Sequence, residues 1–145
     1  MQAIADSLGA VAIGCDITDE QQLAALADAA ISHYGKLDGA INFAGIETSS
    51  PIADVSCEVL QENCDVHLIG TTLFIKHMTS RMTGGGSVVT TSSQTALLAP
   101  PGLAAYAGTK SGADHIVRIA AVEYGAQNIR INSLAPGFTP SAMTE

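Results

Sequence analysis

Basic side chains are scarce in this sequence: its 145 residues hold six Lys and Arg against fourteen Asp and Glu, a formal charge of -8. A nucleic-acid footprint needs clustered Lys and Arg to replace phosphate counterions, so the composition argues against nucleic acid as a partner. Long apolar runs are missing too. None approaches the roughly 20 residues of a membrane-spanning helix, and the opening "MQAIADSLGA" has no basic stretch leading into an apolar one. Neither a membrane partner nor a secretory leader is expected. Cysteine is limited to Cys15, Cys57 and Cys64, an odd number without a Cys-x-x-Cys pair. That argues against a disulfide framework or a zinc knuckle and fits a reducing compartment, so the sequence predicts a soluble, cytoplasmic protein. Cys57, Cys64 and His67 share a helix face by their spacing, but soft side chains gathered on one helix are read as packing, and no metal is expected.

What is present is 47% hydrophobic and 14% charged, the balance of one globular domain over residues 1–145. "AVAIGCDI" (10–17) reads as a strand, and "TDEQQLAALADAAISHYG" after it places Leu23, Leu26, Ala27, Ala30 and Ile31 at helical spacing. Thr18 stands at the N-cap position, Asp19 and Glu20 suit the positive end of the helix dipole, and Gly35 is placed to stop the helix. "LDGAINFAG" (37–45) reads as a second strand, and "VSCEVLQENCDVHLIGTTLFIKHMTSRM" (55–82) as one long helix with Gly70 a close-packing point. "GGGSVVTTSS" (84–93) is a glycine turn feeding a β-branched strand; a helix over 104–125 and a strand in "NIRINSLAPG" (128–137) follow. Strand and helix thus alternate four times, the pattern of βαβ units and a parallel sheet with helices on both faces. Ligands of such sheets sit beyond the carboxyl ends of the strands. Asp16, Asn42, Ala44, Gly45, Ser92, Ser93, Pro136 and Gly137 collect there.

The chemistry centres on "YAGTK". Tyr106 and Lys110 lie one helical turn apart, so their side chains share a face. A cation beside a phenol favours its charged form, which suits the pair to proton exchange. Ser93, at the end of the preceding strand, offers a hydroxyl to a carbonyl or alcohol oxygen in the same cleft. A Tyr and a Lys at this spacing are common on helix surfaces, so the pair alone does not carry the reading.

The whole set in order does. Across "CDITD", "LDGAINFAG", "VHLIGTT", "GGGSVVTTSS", "YAGTK" and "NIRINSLAPGF" the chain resembles the short-chain dehydrogenase/reductase family. The thirteen residues from Ser93 to Tyr106 match that family's Ser–Tyr spacing, and Lys110 completes its Tyr-x-x-x-Lys signature. The resemblance implies a Rossmann-like, doubly wound parallel sheet in three α/β/α layers, bound to NAD or NADP. It implies an oxidoreductase interconverting a small-molecule secondary alcohol and a ketone by hydride transfer. In it Tyr106 is the general acid/base, Lys110 eases its ionisation and holds the nicotinamide ribose, and Ser93 orients the substrate oxygen. It also places Asp16 at the adenine, Asn42, Ala44 and Gly45 in the Asn-Asn-Ala-Gly turn with Phe43 for the second Asn, and Pro136 and Gly137 beside the nicotinamide. Ser141 stands about where a threonine contacts the carboxamide. The 55–82 helix and the catalytic helix are the family's dimer or tetramer surfaces, so a homo-oligomer is expected.

Two departures accompany the match. "VHLIGT" puts His67 at the fourth catalytic position, where the family has an Asn at a helix kink whose main-chain carbonyl holds a relay water. Histidine keeps the carbonyl but not the amide, so either the relay survives in altered form or His67 only packs. The sequence also lacks the Thr-Gly-x-x-x-Gly-x-Gly turn on which the family binds the pyrophosphate. "GGGS" (84–87) is no substitute, since it precedes a strand. The chain is accordingly expected to be truncated at both ends, a partial fold without the first two strands, with a bare strand edge and weak cofactor binding. The "TALLAPPGLAA" stretch (95–105), apolar here, favours a hydrophobic or neutral substrate. The competing expectation is a catalytically inactive remnant that keeps only the fold and its oligomerisation surfaces.

Overall fold

The computed structural model describes residues 2–140. Three parallel strands form one sheet in the order β1 (Gly39–Asn42), β2 (Gly86–Thr91), β3 (Ile129–Leu134). Ala40 stands beside Val88, and Val88 beside Ile131. Because the pleat alternates faces, Ala40, Val88 and Ile131 point to one side, and there the core forms. Val88 is fully buried, and Leu23, Ala27, Phe74, Ile75, Met78, Val117 and Ala120 pack over it with Ile129 and Ile131. The helical residues among them come from α2 (Glu20–Tyr34), α4 (Thr71–Thr79) and α5 (Ala104–Tyr124), which follow a short α1 (Gln2–Leu8). The α/β, Rossmann-like class stands. Over these strands the described residues supply the sheet and one helical layer, whereas the opposite face, carrying Ile41 at 59% exposure and Asn132, is largely open.

Residues 10–17 do not form the strand expected of them. A strand exists through its ladder partners, and β1 pairs only with β2, so this segment has no ladder and leaves Val11 and Ile13 exposed. Three strands rather than four therefore make the sheet, and the outer edge of β1 is unpaired among the described residues, as the sequence predicts. The N-cap of α2 is also one residue later than expected. Asp19, not Thr18, accepts from the Gln21 and Gln22 amides, while Thr18 turns back to bond Asp16. Gly35 ends the helix in the left-handed region at φ 76°, as expected.

The 55–82 segment is not one continuous helix. Ser56 caps α3 (Cys57–Asn63), a π-helical stretch spans Cys64–Gly70, and α4 resumes at Thr71. Gly70 is the close-packing point: a Cβ there would lie 3.0 Å from the Ile17 side chain and 3.1 Å from its carbonyl oxygen. The wider turn lets His67 project into the sheet's carboxyl edge, where it is 1% exposed. The start of α5 is held to the loop after β1 by the Ser50 amide, which donates to the Gly102 carbonyl at 2.7 Å.

Candidate active site

A parallel register sends all three strands to the same edge, so Asn42, Ser92, Ser93, Pro136 and Gly137 converge there with the first turns of α5. Asn42 is buried and shapes the turn beyond β1: its Oδ1 accepts from the Ala44 amide at 2.9 Å. Its carbonyl accepts from the Thr91 hydroxyl at 2.8 Å, tying that turn to β2. The turn then brings Gly45 against the helix. A Cβ on Gly45 would lie 3.4 Å from Lys110 Nζ and 3.6 Å from His67 Nε2, ordinary van der Waals distances that place the turn directly beside the lysine and the histidine.

Lys110 is 4% exposed, and its ammonium donates to the Thr91 carbonyl at 2.7 Å. Burial pushes it down to about 8, against the opposing pull of Asp114. One of its three N–H donors is used by Thr91, leaving others for a ligand hydroxyl. The half-buried Tyr106 ring stands with its centroid 5.8 Å from that ammonium and 5.5 Å from the His67 ring, edge to face.

His67 is fixed on both ring nitrogens. Nε2 accepts from the Ile46 amide at 3.2 Å, and Nδ1 lies 2.9 Å from Thr109 Oγ1. Thr109 spends its own proton on the Ala105 carbonyl, so the Nδ1–H tautomer is the one that satisfies both contacts. Burial, with the Lys110 charge second, pushes His67 down to about 4. It is neutral at neutral pH, a strut between the β1 turn and the helix that carries Tyr106 and Lys110.

Ser93 caps the short helical turn Gln94–Ala96. Its oxygen accepts from the Thr95 amide at 3.2 Å and the Thr95 hydroxyl at 2.9 Å, which leaves its own proton to donate. The neighbouring Gln94 amide donates to the Pro136 carbonyl at 3.0 Å, and a Cβ on Gly137 would lie 3.1 Å from the Gln94 side chain. Pro136 and Gly137 are thereby held to the turn that carries Ser93.

The structure brings Asn42, Ala44, Gly45, His67, Ser93, Tyr106, Lys110, Pro136 and Gly137 to one edge. Asp16 is exposed, and Thr18 donates to its carboxylate from both amide and hydroxyl, holding it below the usual carboxylate range. It borders an open hollow of about 710 Å³ lined also by Thr18, Glu58, Glu62 and Asp65. Ser141 lies outside the described residues. Thr91, Thr109, Gln94 and Asp114 join the site without having been singled out in the sequence. Asp114 alone left a signal there, as a charge one turn beyond Lys110.

These residues fit the nicotinamide–ribose end of a dinucleotide: a buried ammonium with donors to spare lies beside the turn at Gly45, with a serine proton and a phenol alongside. The chain matches, over residues 1–145, the family model described as enoyl-(acyl carrier protein) reductase. It is 35% identical over 136 residues to a 2,5-dichloro-2,5-cyclohexadiene-1,4-diol dehydrogenase of Sphingobium indicum, covering 90% of this chain and 54% of that protein. The chain thus spans about half the length of the curated relatives it matches. Among solved structures, a dehydrogenase from Burkholderia cenocepacia with bound NADP superposes with a TM-score of 0.90 at 28% identity, covering 98% of this chain and 54% of that one. An NAD+-bound xylitol dehydrogenase superposes with a TM-score of 0.90 at 26% identity, covering 98% and 57%.

Proposed function

The chain belongs to the short-chain dehydrogenase/reductase family, and on that premise we propose that it carries the proton-transfer and nicotinamide half of an NAD- or NADP-dependent oxidoreductase acting on a secondary alcohol or ketone. The single observation that supports this best is the buried Lys110 ammonium, held on Thr91 within one helical turn of Tyr106 and against Gly45. Nicotinamide, when bound, supplies or accepts the hydride. Tyr106 gives its phenolic proton to the ketone oxygen in reduction and takes it back from the alcohol in oxidation. Lys110 stabilises the phenolate that this transfer leaves, and its remaining N–H donors bind ribose hydroxyls. Ser93 donates its proton to the same substrate oxygen.

Asn42, Ala44 and Gly45 form the wall against the ribose, and Pro136 and Gly137 the wall against the nicotinamide. His67 acts by holding the β1 turn on the catalytic helix rather than by carrying a proton at neutral pH. Leu97 and Leu98, largely exposed on the segment after Ser93, favour a neutral or hydrophobic alcohol over a charged one. Nicotinamide absorbance of the chain with cyclic secondary alcohols tests the reading. Turnover that Tyr106→Phe reduces at least a thousand-fold, with nicotinamide binding kept, is the expected result. No turnover by the parent chain indicates the catalytically inactive alternative.

A further inference from the structure

The site contains one charged side chain that the mechanism above does not use. Asp114 follows Lys110 by one turn on α5, and its two carboxylate oxygens reach two different strands. Oδ2 accepts from the buried Ser92 hydroxyl at 2.8 Å, just past β2, and Oδ1 accepts from the Ser133 hydroxyl of β3 at 2.5 Å. Lys110, one turn earlier, donates to the carbonyl of Thr91, the residue before Ser92. The helix thus grips two consecutive residues, the last of β2 and the one after it, with an ammonium and a carboxylate, and the next residue is Ser93. On either side of Ser93 the chain is also pinned to the segment ending β3, by the Ser92 amide on the Leu134 carbonyl at 2.7 Å and the Gln94 amide on the Pro136 carbonyl at 3.0 Å.

We infer that Asp114 is a positioning residue: by binding Ser92 and Ser133 together it clamps the carboxyl ends of β2 and β3 to the catalytic helix and so fixes Ser93 relative to Tyr106 and Lys110. The inference rests on the proposed roles of those three residues. Two independent features support it. A carboxylate that accepts one hydroxyl on each oxygen ties both strand ends to the helix, so neither can slide along it without breaking a charge-assisted bond. Its negative charge also opposes the burial that lowers Lys110, the other ionisable groups near that lysine being Tyr106 on the same helix and His67 on the π-helical stretch.

The test uses the 145-residue chain and Asp114→Asn, whose amide nitrogen cannot accept. Amide hydrogen exchange at Ser92 and Gln94 should accelerate at least tenfold while the α2 amides of Leu23 and Ala27 change less than twofold. The Lys110 titration midpoint, read by NMR on ¹³C-labelled lysine, should fall by at least half a pH unit while those of Lys36 and Lys76 stay put. Uniform acceleration across the protein, or an unmoved Lys110 midpoint, overturns the inference. Ser92→Ala keeps the carboxylate and serves where Asp114→Asn does not fold: it should speed exchange of the amides at positions 92 and 94 without shifting Lys110, and unchanged exchange there equally overturns the clamp. If the parent chain turns over an alcohol, Asp114→Asn should lower kcat at least tenfold with KM within twofold. If it turns over nothing, the proposed function fails, and exchange and titration decide the clamp on their own.

Discussion

Lowering the pH should weaken this fold through His67 in particular. The ring is 1% exposed, accepts a hydrogen bond from the Ile46 amide at Nε2 and donates one from Nδ1 to Thr109, so a second ring proton would face a donor. Its ordinary value of 6.5 is pushed to about 4, by burial first and the Lys110 charge second. In the unfolded chain the imidazole takes up a proton as the pH falls below about 6.5, while in the folded chain it stays neutral until about 4. Stability is therefore unaffected by this group above about 6.5 and is lost progressively down to about 4. At ~1.4 kcal/mol per pH unit, the gap between 6.5 and about 4 gives a loss of roughly 3 kcal/mol. Urea unfolding followed by circular dichroism at stepped pH, on the parent chain and on His67→Gln, isolates the effect because the other titrating groups are common to both. The parent's stability advantage over the variant should shrink by about 3 kcal/mol between pH 7 and 4. Parallel curves would refute the neutral-strut account.

Packing gives two further expectations. Gly85 has φ +86° and a Cβ there would sit 2.8 Å from the Asn128 carbonyl oxygen, so Gly85→Ala combines left-handed strain with a backbone clash and should destabilise by about 2–3 kcal/mol in the same urea assay. Leu23 is the α2 anchor of the core at 2% exposure, and Leu23→Ala should lose about 2–5 kcal/mol, read as a lower thermal midpoint.

The elements that the sequence made legible are those whose signals are local. Gly35 stops α2 through its own φ, the glycine turn before Ser87 leads into β2 as the β-branched run indicates, and the Ser93, Tyr106 and Lys110 spacing places all three at the sheet's carboxyl edge. What stayed hidden depends on partners distant in sequence. Residues 10–17 have a strand's composition, but a strand is completed by a neighbour, and β1 pairs only with β2. The π-helical turn that aims His67 leaves no periodicity signal beyond Gly70. The choice between Thr18 and Asp19 as cap turned on which side chain Asp16 occupied. His67 itself was visible as a departure from the family pattern, but its neutral, doubly bonded state follows only from Ile46 and Thr109, which lie far from it in the chain.

The central claim is that Lys110, Gly45 and Tyr106 form a nicotinamide–ribose site. A fluorescence titration of the 145-residue chain with NADH and NADPH, beside Lys110→Met, tests it most directly. Saturable binding by the parent chain that weakens at least tenfold in Lys110→Met, with the variant's fold intact by circular dichroism, is the predicted result. Binding that is absent from the parent chain, or equal in the two proteins, would contradict it.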